Sequence, residues 1–71
     1  MLLPVPTTHY EITIRGRLGD TLLGAFEGLA ASPAAAGTVL RGELADQAAL
    51  FGLLAHIESL GLELIGVRRL P

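Results

Sequence analysis

The sequence predicts an α+β fold, and three observations lead to this expectation. Residues 9–18 alternate apolar and polar side chains, as a half-buried strand does. A capped amphipathic helix follows residue 46. Apolar segments that are typical of strands lie on both sides of this helix. Together with a short helix after the first strand, they give the order β-α-β-β-α-β, which is the ferredoxin-like plan of a four-stranded antiparallel sheet with two helices on one face.

The first half of the chain contains the less regular elements. Residues 1–8 are expected to form an N-terminal tail, and residues 9–71 a single domain. The strand over 9–18 places alternate residues on the apolar face of the sheet, namely Tyr10, Ile12, Ile14 and Leu18. Gly19 or Asp20 then begins a short helix that runs to about residue 28. Residues 29–32 are predicted as a weak strand because alanine is a poor strand former, and without it the sheet has three strands.

The second half of the chain has clear local signals. A turn is predicted at 33–37, and a strand follows at 38–44. Asp46 is the predicted N-cap of the main helix, and Gly61 is the predicted stop, where positive φ ends a helix. The apolar stripe of this helix comprises Leu50, Leu53, Leu54, Ile57 and Leu60. The last strand follows within residues 62–70, and we expect strands 9–18 and 38–44 to be central.

The composition limits the classes of function. The chain has 71 residues, of which 51% are hydrophobic, and no cysteine. A core of this size rarely supplies more than ~3–5 kcal/mol without additional support, and disulfides are impossible, so we expect a second copy of the chain to supply it. The net charge of −2 argues against nucleic acid or anionic membrane as a partner. With no signal-peptide pattern or membrane span, the expected compartment is the cytoplasm.

Three motifs carry a resemblance to a known group of proteins. GRLG at 16–19, TVLRGEL followed by DQAAL and GLL at 38–54, and LGLELIGVRRL at 60–70 resemble short, uncharacterised bacterial proteins that are common in actinobacteria. The resemblance covers residues 9–70 and implies no activity. Phe51 stands where these proteins often have histidine, and we interpret it as a packing residue.

Few residues in the chain are suited to catalysis. His9, Glu11 and Glu43 are the weak catalytic candidates, since two carboxylates on neighbouring strands could act as an acid–base pair. The simpler interpretation is that the glutamates form cross-strand ion pairs with arginines on a wet or interfacial face. The histidines His9 and His56 have no metal-ligand spacing and are expected to face solvent, so we predict no metal and no cofactor.

The turn at GRLG is a second candidate site. Gly16 and Gly19 could expose backbone N–H groups to an anion, and Arg15 or Arg17 could add positive charge. The full glycine pattern of a nucleotide-binding loop is missing. The simpler interpretation is therefore a strand that ends in a tight turn.

These observations favour a self-associating binding or interaction module, with a protein or a small molecule as a further possible partner. On the predicted phasing, Ile65 and Val67 of the last strand point towards the helices. The open face of the sheet carries the interface candidates Val39, Leu64, Leu70, Arg41 and Arg68. Pairing of outer strand edges is the alternative geometry for a homodimer. The alternative function is a small cofactor-independent enzyme of the dimeric α+β barrel kind, with a pocket between sheet and helices.

We predict that the 16–19 turn binds no nucleotide tightly, because its glycine pattern is incomplete and the chain is acidic. Titration calorimetry with common nucleotides is expected to give no micromolar affinity. Micromolar binding that disappears in an Arg17→Gln variant would contradict this expectation.

Overall fold

The computed structural model describes residues 7–26 and 28–71, and it has an α+β fold as predicted. The elements are β1 (Thr8–Arg15), α1 (Asp20–Leu23), β2 (Ala30–Ala34), β3 (Gly37–Leu44), α2 (Gln47–Ser59) and β4 (Leu64–Arg69). A 3-10 turn at Gly24–Phe26 directly follows α1. Most of the predicted tail at 1–8 lies outside the described residues, and its last residue, Thr8, already belongs to β1.

The four strands form one antiparallel sheet in the order β2-β3-β1-β4, with α2 following β3 along the chain. The prediction that the first strand and the strand at 38–44 are central is confirmed. Directly opposed residues share a face of the sheet. Ile12 lies opposite Leu40 on one side and opposite Val67 on the other, so these three residues share the face that the helices cover.

The β2–β3 hairpin differs from its prediction. The weak strand predicted at 29–32 exists, but it runs from Ala30 to Ala34. The turn predicted at 33–37 is therefore too long, since the chain reverses at residues 35–36. Pro33 lies within β2, which is possible because β2 is at an edge of the sheet and one side of an edge strand needs no N–H donor.

The first helix is much shorter than predicted, and the reason lies in its glycines. The single turn of α1 is followed by a 3-10 turn that begins at Gly24. Glycine in a helix interior lowers helix stability by about 1 kcal/mol relative to alanine. Its N-cap is Gly19, which has no side chain to accept an N–H from the first turn. The first strand also ends at Arg15, so Leu18 lies in the connection before α1 and not in the strand.

The predicted boundaries of α2 are confirmed by its capping contacts. Asp46 accepts a hydrogen bond at Oδ1 from the N–H of Ala49, at 2.7 Å. At the other end Gly61 has φ of +76°, and the N–H of Leu62 donates to the carbonyl of Ile57 at 3.3 Å. This is the Schellman arrangement, which satisfies helix carbonyls that would otherwise have no donor.

The core lies between α2, the 3-10 turn and one face of the sheet. It consists of Tyr10, Ile12, Ile14, Phe26, Leu40, Leu50 and Ile57. Of the predicted helix stripe, Leu50 and Ile57 are buried, whereas the other leucines are half-buried against this cluster. Phe51 is 58% exposed, so its interpretation as a packing residue is wrong for the single chain. His56 is exposed as predicted, although its ring stands edge-on to Phe26, with the two ring centres 5.7 Å apart.

The last strand is less buried than predicted. Val67 lies opposite Ile12 on the helix side of the sheet, as predicted, but 38% of its surface is exposed, as is 43% of the surface of Ile65. The register of β4 against β1 shifts between Thr13 and Ile14, which brings Leu64 opposite Ile14. Such a bulge breaks the strict alternation on which the assignment of faces rested.

We predict that stability depends on the buried Ile57 of α2 more than on the exposed Phe51 of the same helix. Ile57→Val is expected to lower the free energy of unfolding by about 0.5–1.5 kcal/mol, because it removes a buried methyl group. Phe51→Ala, at an exposed position, is expected to change it by less than about 0.5 kcal/mol. Urea denaturation monitored by circular dichroism measures both variants, and the reverse order would mean that the buried face of α2 is misassigned.

Candidate functional site

The open face of the sheet carries a carboxylate between two arginines. Glu11 lies on β1, opposite Arg41 of β3 on one side and Arg68 of β4 on the other. The Nε of Arg41 donates to Oε2 of Glu11 at 2.9 Å, and Nη2 of Arg68 lies 3.2 Å from Oε1. The Glu11 side chain is only 15% exposed, because the two guanidinium groups cover it. The predicted cross-strand pairing of Glu11 with arginine is confirmed.

This environment determines the charge state of Glu11. The hydrogen bond from Arg41 holds the pKa of the Glu11 carboxyl below its ordinary value, and the positive charge of Arg68 acts in the same direction, while partial burial opposes them. The carboxylate therefore stays ionised at neutral pH. A carboxylate with a lowered pKa is a weak proton acceptor, which makes Glu11 poorly suited to general base catalysis.

The other two catalytic candidates form a separate pair on the same face. Nδ1 of His9 lies 3.6 Å from Oε1 of Glu43, directly across the β1–β3 ladder. Both side chains are about half exposed, at 52% and 57%. The partner of Glu43 is thus a histidine and not one of the arginines that we expected. The structure brings these two residues together on the open face of the sheet, where both side chains are half exposed.

The interface candidates form a less apolar surface than the sequence suggested. Val39 is buried, with 7% of its surface exposed. Leu70 is half-buried just beyond β4, and its N–H donates to the carbonyl of His9 at 2.8 Å. Arg41 and Arg68 are both engaged by Glu11 within the same chain.

The turn at GRLG connects β1 to α1, and two residues of β3 contact it or the end of β1 before it. Gly16 accepts a hydrogen bond at its carbonyl from Oγ1 of Thr38, at 2.9 Å. Gly37 passes so close that a Cβ there would collide with the carbonyl oxygen of Ile14, so no larger residue fits without movement of the backbone. Arg15 forms an ion pair with Glu63.

A cleft of about 240 Å³ lies beside this turn. It is lined by Arg17, Leu18, Leu23, Ala31, Ser32, Pro33 and Thr38. Of the ligand-binding candidates, the cleft includes Arg17 but not Arg15, Gly16 or Gly19. Gly19 instead occupies the N-cap position of α1. From the sequence, only the GRLG motif was identified as part of this site. The remaining walls include residues of the β2–β3 hairpin, and no short sequence motif indicates that this hairpin lies beside the turn.

The described residues contain neither a metal-ligand cluster nor a helix that could span a membrane. No group of three or more histidine, cysteine, aspartate or glutamate residues within 7–26 and 28–71 is arranged to hold a metal ion. Among the helices of the same part of the chain, none combines the length and the apolar character that crossing a bilayer requires.

We predict that Glu11 makes stability dependent on pH in the acidic range. Since its pKa is lowered by folding, its contribution is fully present above the ordinary glutamate pKa of about 4.3, and it is lost as the pH falls through the lowered value. Urea denaturation between pH 3 and pH 7 is expected to show that Glu11→Gln is less stable than the native chain at pH 7 and that the gap narrows towards pH 3. Glu58→Gln, which removes an exposed carboxylate of α2, is the control for the loss of one negative charge elsewhere in the chain. A constant gap for Glu11→Gln would contradict the assignment.

Comparison with known proteins adds a family but no activity. No curated protein matches the chain, and no solved structure matches it. Residues 9–68 match the family described as a domain of unknown function, DUF8691. This match covers most of the 71 residues, from the second residue of β1 to the last residue but one of β4. The chain therefore belongs to the DUF8691 family of domains of unknown function.

Proposed function

We propose that this chain is a self-associating interaction module, and that two copies pair along β4. The observation that carries this proposal is the exposure of apolar side chains on an edge strand. Leu64, Ile65 and Val67 are each about 40% exposed, at 41%, 43% and 38%, and they make up half of the six residues of β4.

The outer edge of β4 supports pairing with a second strand. In the described residues β4 is bonded only to β1, so its other edge presents unused backbone N–H and C=O groups. An antiparallel strand of the same sequence can satisfy these groups, and a two-fold axis generates such a partner from a second copy. Complete burial of a valine, leucine or isoleucine side chain contributes about 1.5–3 kcal/mol, and part of that remains to be gained here.

The open face of the sheet gives less support to a dimer. Its two arginines, Arg41 and Arg68, are already paired with Glu11 within the chain, and Glu43 lies beside His9, 3.6 Å from its Nδ1. A partner docked on this face would have to remove these groups from water without supplying new opposite charges. Between the two geometries left open by the sequence, edge pairing is therefore the one that we propose.

We also infer that the fold is a reduced version of the ferredoxin-like plan. The support is the sheet order, which reads β4-β1-β3-β2 from the other edge, together with the helical segments between β1 and β2 and between β3 and β4. The departure is in the first crossover, where a helix of four residues and a 3-10 turn replace a full helix. The cytoplasm stays the predicted compartment, for which the support is the sequence pattern alone.

The alternative function, a small cofactor-independent enzyme, lacks a supporting observation. It calls for a pocket between sheet and helices that contains His9, Glu11 or Glu43. The cleft in the described part of the chain is lined by none of these three residues. The pKa of Glu11 is lowered by Arg41, which is the opposite of what a catalytic acid at neutral pH needs.

Light scattering coupled to size-exclusion chromatography tests the proposed pairing. We predict that the native chain has twice the single-chain mass at low micromolar concentration, and that Ile65→Lys has the single-chain mass. A lysine on an edge strand opposes edge pairing because its charge would have to be buried. Ile65 is 43% exposed in the single chain, so the folded monomer tolerates the lysine.

Phe51→Lys is the matched control. It places the same charge at another exposed apolar residue, on α2 and away from the β4 edge. We expect this variant to keep twice the single-chain mass. The proposal would be overturned if the native chain had the single-chain mass at low micromolar concentration. It would also be overturned if Phe51→Lys dissociated while Ile65→Lys did not. Circular dichroism of each variant verifies that it is folded.

A further inference from the structure

We propose that the cleft beside the GRLG turn binds a small carboxylate with a short apolar tail. This inference is independent of self-association, because the cleft lies at the β2 side of the sheet and β4 forms the opposite edge. The inference rests on three features of the cleft, which are its charge, its apolar walls and its size.

The charge of the cleft comes from Arg17. Three other arginines of the chain, Arg15, Arg41 and Arg68, are engaged with glutamates. Arg17 has no ion-pair partner among the described residues, although it lies at the rim of a cavity. A guanidinium group presents a planar set of N–H donors that matches the two oxygens of a carboxylate. An anion is therefore the group that complements this position.

The buried hydroxyl group of the cleft is already engaged by the protein. Thr38 is buried, and its Oγ1 donates to the carbonyl of Gly16 at 2.9 Å. The Ser32 hydroxyl lies on the other face of the sheet, where its Oγ accepts from Nη1 of Arg41 at 3.2 Å. The Thr38 contact fixes this wall of the cleft, and Arg17 is the charged residue among those that line it.

The remaining walls are apolar and favour a hydrocarbon tail. Leu18 and Leu23 approach from the connection and from α1, while Ala31 and Pro33 approach from β2. Contact with such walls excludes water from the tail and strengthens the charge interaction at the rim.

The volume limits the size of the ligand. At about 240 Å³, the cleft is smaller than the roughly 300–1,000 Å³ of typical small-molecule sites. A branched carboxylate of a few carbons fits this space. A nucleotide does not, and a single arginine does not neutralise its phosphates, which agrees with the expectation that the 16–19 turn binds no nucleotide tightly.

Chemical-shift mapping by NMR tests the proposal with 4-methylpentanoate as the probe. We expect saturable shifts of the amides of Arg17, Leu18 and Ala31, and none from the neutral isostere 4-methylpentanamide at equal concentration. Inorganic phosphate is an anion without an apolar tail and gains nothing from the apolar walls. Its apparent affinity is expected to be at least about tenfold weaker than that of 4-methylpentanoate.

Two variants separate the charge from the cavity. Arg17→Gln is expected to weaken binding of 4-methylpentanoate by about tenfold or more, the scale of a lost charge-assisted hydrogen bond. Ala31→Leu fills the cleft at an exposed strand position and is expected to abolish binding while Arg17 is retained. Arg69→Gln, which removes an exposed arginine of β4, is the control and is expected to leave binding unchanged.

Several outcomes would overturn the proposal. One is an amide probe that binds as well as the carboxylate, because recognition would then not involve the charge. Others are an Arg17→Gln variant with native affinity, shifts that map away from the cleft, or no saturable shift with millimolar probe. The spectrum of each free variant verifies that the fold is intact, so a loss of binding refers to the cleft itself.

Discussion

The packing of α2 on the two central strands is the interaction on which the rest of this structure depends. Ile57 and Leu50 of α2 meet Ile12, Ile14 and Leu40 of the sheet, and all five are buried. The helix reaches this position because Asp46 fixes its beginning and Gly61 its end. Among the described elements, α2 is the one helix longer than a single turn, so its 13 residues set how much of the sheet is covered.

Because the helices cover only part of the sheet, two surfaces remain open, namely the β4 edge and the cleft between α1 and β2, and we propose a role for each. At one edge of the sheet, β4 keeps Ile65 and Val67 partly in water. Towards the other edge, α1 has only four residues, and a cleft remains between α1 and β2. A full first helix would be expected to fill that space. The proposed dimer edge and the proposed ligand cleft are thus two consequences of the same constraint, although each can fail without the other.

The parts of the fold that could be predicted from the sequence are those with local causes. The N-cap at Asp46 and the stop at Gly61 depend on residues within one turn of each helix end, and both are found as predicted. The alternation of β1 identified Ile12 and Ile14 as buried, because a strand with one covered face has a strict period of two. Pairing of Glu11 with Arg41 followed from the same alternation, since both lie on the open face.

The parts that could not be predicted depend on contacts between distant segments. The bulge that shifts Leu64 is a property of the β1–β4 pairing, and it altered the expected faces of β4. The contact between Arg68 and Glu11 also depends on the register of β4 against β1. The cleft combines Arg17 with Ala31 and Pro33 through the position of the hairpin, which no short sequence pattern encodes. The sequence did identify Arg17 as a candidate, but not the walls that turn an exposed arginine into a site.

The central claim is that the apolar edge of β4, left uncovered by α2, is covered by a second copy of the chain. The most direct measurement is amide hydrogen exchange followed residue by residue as a function of protein concentration. We expect the protection of Leu64–Arg69 to rise as the concentration increases, because outward-facing amides of β4 gain a strand partner. Over the same range, protection of the opposite edge strand, Ala30–Ala34, is expected to stay constant. Equal and concentration-independent exchange at both edges would rule out pairing along β4.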